Sequence, residues 1–263
     1  MSITIHAPSV RYIAIGDSFS EGVGDELPDG FVRGWADLAA QGWADALGEP
    51  IAYANLAIRG KLVGPIVREQ LDAALALGPT HLSFNGGGND MLRPRADLEG
   101  ILALVGEVVE RCAREGVQLI LLSGGNPCAR LPLGRRIQER GDVLAHAIED
   151  RFGDRPDLLL SQNWFDATLA TAPFWSADRL HMNTRGHHRV AARLLDRLGA
   201  APPEEWWNID LAEAEHELRG AAYYRTHVGP WLKRRLTGTS SGDGRTAKHP
   251  RWIDVAPMSE LAR

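Results

Sequence analysis

Short apolar runs alternate with longer stretches of helical periodicity through most of the chain. Five runs, at residues 10–15, 51–55, 81–85, 117–122 and 157–161, are rich in β-branched, aromatic or leucine residues. Near-continuous apolar runs of this length suit strands buried on both faces. Between them, apolar residues recur at helical spacing. Trp35, Leu38, Ala39, Trp43 and Ala46 make one stripe, and Val63, Ile66, Val67, Leu71 and Ala74 a second. Leu98, Ile101, Leu102, Val105, Val108, Val109 and Cys112 make the clearest. Ile137, Leu144, Ala147 and Ile148 follow, then Val190, Ala191, Leu194, Leu195 and Leu198. Alternating strands and helices predict an α/β protein, a parallel sheet of about five strands with helices on both faces. In such sheets ligands bind beyond the carboxyl ends of the strands.

The alternation stops near Leu198, and Ala200-Ala-Pro-Pro203 reads as a boundary. The expected division is a domain over residues 1–200 and an extension over 201–263. The extension holds four of the eight tryptophans (Trp206, Trp207, Trp231 and Trp252) and a locally basic series from Lys233 to Arg251. Residues 208–225 suit one helix, and residues 237–244 read as a flexible loop. The extension is expected to pack on the domain or on a partner subunit, which would give a route to a homo-oligomer.

At 263 residues, with 44% hydrophobic and 24% charged residues, the composition is that of a globular protein. A net charge of −5 gives no drive toward nucleic acid. Two cysteines make neither a disulfide framework nor a four-cysteine zinc site. Cys112 falls on an apolar helix face, whereas Cys128 falls in a Gly/Pro loop that suits a free thiol. The first residues lack the pattern of a secretion signal, and no run approaches the ~18 apolar residues of a membrane span. The expectation is a cytoplasmic protein without stable membrane insertion.

The candidate chemistry lies at the predicted strand ends. Ser18 follows the first strand in Gly16-Asp-Ser-Phe-Ser-Glu-Gly22, where a turn exposes a hydroxyl at the sheet rim. The Gly-x-Ser-x-Gly elbow fails here, because position 20 is serine. Asp178-Arg-Leu-His181 puts a carboxylate three residues before an imidazole, close enough to orient it as a base. Asn89, in Gly86-Gly-Gly-Asn-Asp90, offers side-chain N–H donors, and Gly60 a backbone donor, to an oxyanion. Each piece has a plainer reading alone: a helix N-cap, an Asx-turn, a tight loop. His181, His187 and His188 with Asp178 also admit a metallohydrolase, and the fold alone admits a small-molecule binding protein.

Taken together and in this order, the four segments resemble the SGNH hydrolases, also called the GDSL esterase/lipase family. The resemblance covers roughly residues 10–198 and rests on Gly16-Asp17-Ser18, Gly60, Gly88-Asn89-Asp90 and Asp178-Arg-Leu-His181. Phe19 and Met182-Asn183 stand where the family usually has leucine and Pro-Asn or Pro-Ser. The resemblance implies a three-layer flavodoxin-like fold, with Ser18 as nucleophile, His181 as base and Asp178 as its orienter. It implies an oxyanion hole from the Ser18 and Gly60 N–H groups and the Asn89 side chain. It implies a small-molecule ester substrate and no cofactor or metal. Phe19, Leu92, Leu131, Trp164 and Trp175 are the candidate pocket residues, with Pro127, Phe165 and Phe174 in the same loops.

Overall fold

In the computed structural model of the protein, residues 8–132, 134–207, 220–230, 237 and 239–261 are described. All five apolar runs form strands: β1 (Arg11–Ile15), β2 (Ile51–Asn55), β3 (His81–Phe84), β4 (Gln118–Leu122) and β5 (Leu158–Ser161). They pair in parallel in the order β5-β4-β3-β1-β2. Side chains alternate across the sheet. Ile13, Ile15, Leu82, Phe84, Leu119 and Leu121 face one core, under the helices over 63–76, Leu98–Arg114 and Gly134–Phe152. Tyr12, Ala14, Ile51, Tyr53, Ile120 and Leu122 face the other, under Trp35–Leu47 and Thr184–Arg197. Full burial of an aliphatic side chain such as Ile13 contributes roughly 1.5–3 kcal/mol. This makes the two cores the main source of stability. It also explains why the strands read as unbroken apolar runs.

The sheet has six strands rather than five. The sixth, β6 (His249–Val255), comes from the extension and pairs antiparallel with β2, Ile51 opposite Val255 and Tyr53 opposite Ile253. It lies at the edge with at most one face covered, so it carries Arg251 and Asp254 among its apolar residues. Pro250 near its start is tolerated because an edge strand has donors to spare. These features hid it from a search for continuous apolar runs. The extension's basic series is not all solvated either. Lys248 is largely buried, and its Nζ donates to the carbonyls of Glu21, Val32 and Arg33 and pairs with Asp37. Of the helix expected over 208–225, residues 208–219 lie outside the described residues; Gly220–Tyr223 is helical and Tyr224–Val228 continues as a π turn.

The strand order reverses between β1 and β3: the chain steps from β1 outward to β2, then returns past β1 to β3 on its other side. This topological switch point leaves a crevice at the carboxyl ends of the strands. Ser18 and Asn89 follow the two strands that flank it.

Candidate active site

Ser18 opens a single turn of helix, Ser18–Glu21, directly after β1. Asp17 caps that turn by accepting the Phe19 N–H at 3.0 Å. The sharp exit needs Gly16. Its φ is +152°, and a Cβ there would lie 2.8 Å from the Asn85 carbonyl oxygen. The Gly16 peptide groups are held by buried Gln70, which accepts the Gly16 N–H and donates to its carbonyl. Gln70 sits in a π stretch, Ile66–Leu71, inside the helix over 63–76. Such bulges often mark functional sites.

His181 and Ser18, 163 residues apart, meet at this rim. The Asp178 carboxylate accepts three bonds from its own loop. Its Oδ1 accepts the Leu180 and His181 N–H groups at 2.9 and 3.0 Å, and its Oδ2 lies 2.6 Å from His181 Nδ1. These donors hold the carboxyl down at about 2, although burial alone would raise it. An ionised carboxylate only accepts, so Nδ1 carries the imidazole proton. Nε2 is then an acceptor, and the Ser18 hydroxyl donates to it at 3.1 Å.

Asn89 stands beside Ser18 at the start of the short helix Gly88–Met91. Its Nδ2 donates to Asp17 Oδ2 and to the Lys61 carbonyl, both at 3.0 Å. Both amide hydrogens are thus engaged within the chain, and an oxyanion would replace one of these acceptors. Asp17 is the partner that the sequence reading did not single out. Burial raises its carboxyl to about 6. Gly60 lines a cleft beside Ser18 at φ +76°, and a Cβ there would collide with the Ser240 hydroxyl. The preceding Arg59 is fixed by Glu21, which accepts its backbone N–H at 2.6 Å and pairs with its guanidinium.

Two spaces open from Ser18 and His181. One is an apolar cavity of about 150 Å³ running into the core beneath the sheet rim. Phe19, Leu92, Pro127, Trp164 and Trp175 line it, as do Leu121, Leu144 and Ile148, which the sequence offered only as strand and helix positions. Leu131 is not among the lining residues. It follows the 3-10 turn Cys128–Arg130, whose Cys128 is buried in the core. Phe174 packs in the core under Thr184–Arg197, and Phe165 is exposed against His146. The other space is a polar cleft of about 840 Å³ between residues 60–65, 93–95 and 239–243. The segment read as a flexible loop therefore supplies one of its walls.

The three histidines do not share a ligand site. His187 is completely buried, its Nδ1 accepting the Trp35 N–H and its Nε2 donating to the Val23 carbonyl. His188 stacks on Trp206 with ring centres 5.1 Å apart. Among the described residues no cluster of three or more His, Cys, Asp or Glu side chains is arranged to hold a metal. Cys128 is free but buried, and burial pushes both cysteine thiols up to about 12, which removes their nucleophilicity near neutral pH. No helix among the described residues is long and apolar enough to cross a membrane.

Burial holds the His187 imidazole down at about 4, against a usual 6.5. The unfolded chain therefore binds a proton at this residue between pH 6.5 and 4, where the folded chain does not. Stability is full above pH 6.5 and falls toward pH 4, by on the order of 3 kcal/mol from this residue. Burial lowers His81 and His188 as well and adds in the same direction; Asp17, raised to about 6, opposes them. Urea midpoints measured across pH 4–7 should fall on acidification. A midpoint that rises toward pH 4 would refute this balance.

A profile of the GDSL-like Lipase/Acylhydrolase family matches residues 14–189, about two thirds of the chain. The chain belongs to the GDSL-like lipase/acylhydrolase family. It is accordingly an ester hydrolase by class. Among solved structures it is similar to the lipase Lip_vut3 from a goat rumen metagenome, with 19% identity, a TM-score of 0.59, and coverage of 73% of this chain and 99% of that one. It is also similar to TesA, with 23% identity, a TM-score of 0.58 and coverage of 72% and 97%. A mutant of Axe2, an acetyl-xylooligosaccharide esterase from Geobacillus stearothermophilus, gives 19% identity, a TM-score of 0.58 and coverage of 73% and 95%. At these identities the likeness is one of fold. Comparison with curated protein sequences gives no match. The GDSL-like profile ends before the extension begins, so β6, Lys248 and the 239–243 wall are additions beyond the family region.

Proposed function

We propose that the protein is a serine esterase that cleaves small, apolar-acyl carboxylic esters through an acyl-Ser18 intermediate. The observation that carries this is the relay from Asp178 through His181 to the Ser18 hydroxyl, at 2.6 and 3.1 Å. Ser18 Oγ attacks the ester carbonyl while His181 Nε2 takes its proton. The developing oxyanion turns toward the Ser18 and Gly60 N–H groups and the Asn89 amide, which exchanges one of its internal acceptors for it. Asp178 keeps the proton on Nδ1 and stabilises the imidazolium. His181 then protonates the leaving alcohol, and water repeats the steps to free the acid.

The two spaces divide the substrate. The apolar cavity suits the acyl group, and the open polar cleft suits the leaving alcohol. At about 150 Å³ the cavity is close to one that admits a benzene ring, which argues for short or aryl acyl groups. Across a p-nitrophenyl ester series, kcat/KM is expected to peak at acyl chains of at most about six carbons and to decline beyond. A fluorophosphonate is expected to label Ser18 covalently. A chain that binds esters without turnover and takes no label would be a binding protein on this fold, and the proposal would fall.

A further inference from the structure

The loop that carries Asp178 and His181 is closed at its base. Trp175 and Met182 form a bridge, and the Ser176 N–H donates to the His181 carbonyl at 2.8 Å. Within this closed loop, Arg179 has φ +64°, and it is the one non-glycine residue with positive φ among the described residues. L-residues with side chains longer than Asn or Asp avoid this region, because Cβ crowds the neighbouring carbonyl. Bonds within the loop hold part of this turn: the Ser176 carbonyl accepts the Arg179 N–H at 2.9 Å, and Asp178 Oδ1 accepts the two N–H groups that follow.

Tyr223 adds contacts from outside the loop. Its hydroxyl donates to the Asp178 backbone carbonyl at 3.1 Å. The Arg179 guanidinium lies over its ring, 4.1 Å from the centre. The ring is 3% exposed, so the hydroxyl is aimed at the loop rather than at solvent. One side chain thus holds the carbonyl of the 178–179 peptide and the side chain that follows it, while Ser176 holds the peptide's N–H. Rotating that peptide changes ψ at Asp178 and φ at Arg179 together. The rotation would return Arg179 to negative φ and turn the Asp178 carbonyl away from Tyr223. It would also reset the backbone from which the Asp178 carboxylate reaches Nδ1.

We propose that Tyr223, which lies beyond the region matched by the family, is a positioning residue that selects this peptide orientation and so keeps the Asp178 carboxylate on His181. The proposal rests on the reading of Ser18, His181 and Asp178 given above. Tyr223 does not touch the reacting atoms; it acts through the turn.

The test is a double-mutant cycle on the full chain, with kcat and KM measured on a short-chain p-nitrophenyl ester. Tyr223→Phe keeps the ring and removes the hydroxyl. It is expected to lower kcat about fivefold, the worth of one net hydrogen bond, with KM unchanged. Glycine adopts positive φ at no steric cost, so in an Arg179→Gly background the same hydroxyl loss should cost less than about twofold. Rescue of this kind is not expected if Tyr223 merely packs the extension. Equal costs in the two backgrounds, or no cost in either, would overturn the proposal. A Ser18→Ala control run alongside separates the two ideas. If that variant is inactive while Tyr223→Phe behaves as wild type, the positioning role alone fails. If Ser18→Ala stays active, the catalytic reading fails and takes this inference with it.

Discussion

Ser18→Ala is expected to lower kcat by about six orders of magnitude, the scale seen when the nucleophile of a concerted triad is removed. Alanine leaves no atom to form the acyl bond, and His181 then has no proton to accept. The residual rate would come from the remaining oxyanion donors and binding. The fold should not notice the change. Ser18 is half-buried, and its hydroxyl's contact is with His181, itself open enough to bind water in its place. Stability should therefore stay within about 0.5 kcal/mol of wild type. Initial rates on a p-nitrophenyl ester and a melting curve on the same sample check both halves. A variant that keeps the wild-type rate would dismiss Ser18 as nucleophile.

Asp178→Asn tests the second link with a change of one atom. The Leu180 and His181 N–H groups both point at Oδ1, so the asparagine must keep its carbonyl oxygen there. Its amide nitrogen is then turned to His181 Nδ1 as a donor. Two donors cannot face each other, so the imidazole proton moves to Nε2, where it meets the Ser18 hydroxyl. The base now offers a hydrogen where it must accept one. kcat should drop about 10⁴-fold, the usual result of trapping the wrong tautomer. KM should change little, because no substrate contact is lost. A kcat within tenfold of wild type would mean that Asp178 does not set the tautomer.

The parts of the molecule that the sequence exposed share a physical cause. A strand buried on both faces has to be apolar throughout, so β1 to β4 stood out as runs. The catalytic candidates lie at the strand ends or in the last loop, because a parallel sheet gathers those ends on one rim. Ser18, Asn89 and the Asp178–His181 pair could therefore be picked out from short segments. The missing pieces depend on contacts between distant residues. Tyr223 meets Asp178 across 45 positions with no motif to mark it. Asp17 was visible only as part of a turn, and its bond to Asn89 spans 72 positions. Cys128 is free as expected but buried in the core beside its 3-10 turn, and Leu131, just after that turn, does not line the cavity. β6 was hidden because an edge strand needs neither unbroken apolarity nor freedom from proline.

The edge that β6 covers has a consequence for how the chain reaches its native state. All five residues of β2 are buried, yet the partner for its outer backbone groups is a segment far later in the chain. Until residues 249–255 emerge, an otherwise assembled sheet presents a row of open donors and acceptors on an apolar strand, the template on which neighbouring chains stick. Synthesis thus has a vulnerable interval that closes only when β6 has emerged to pair with β2.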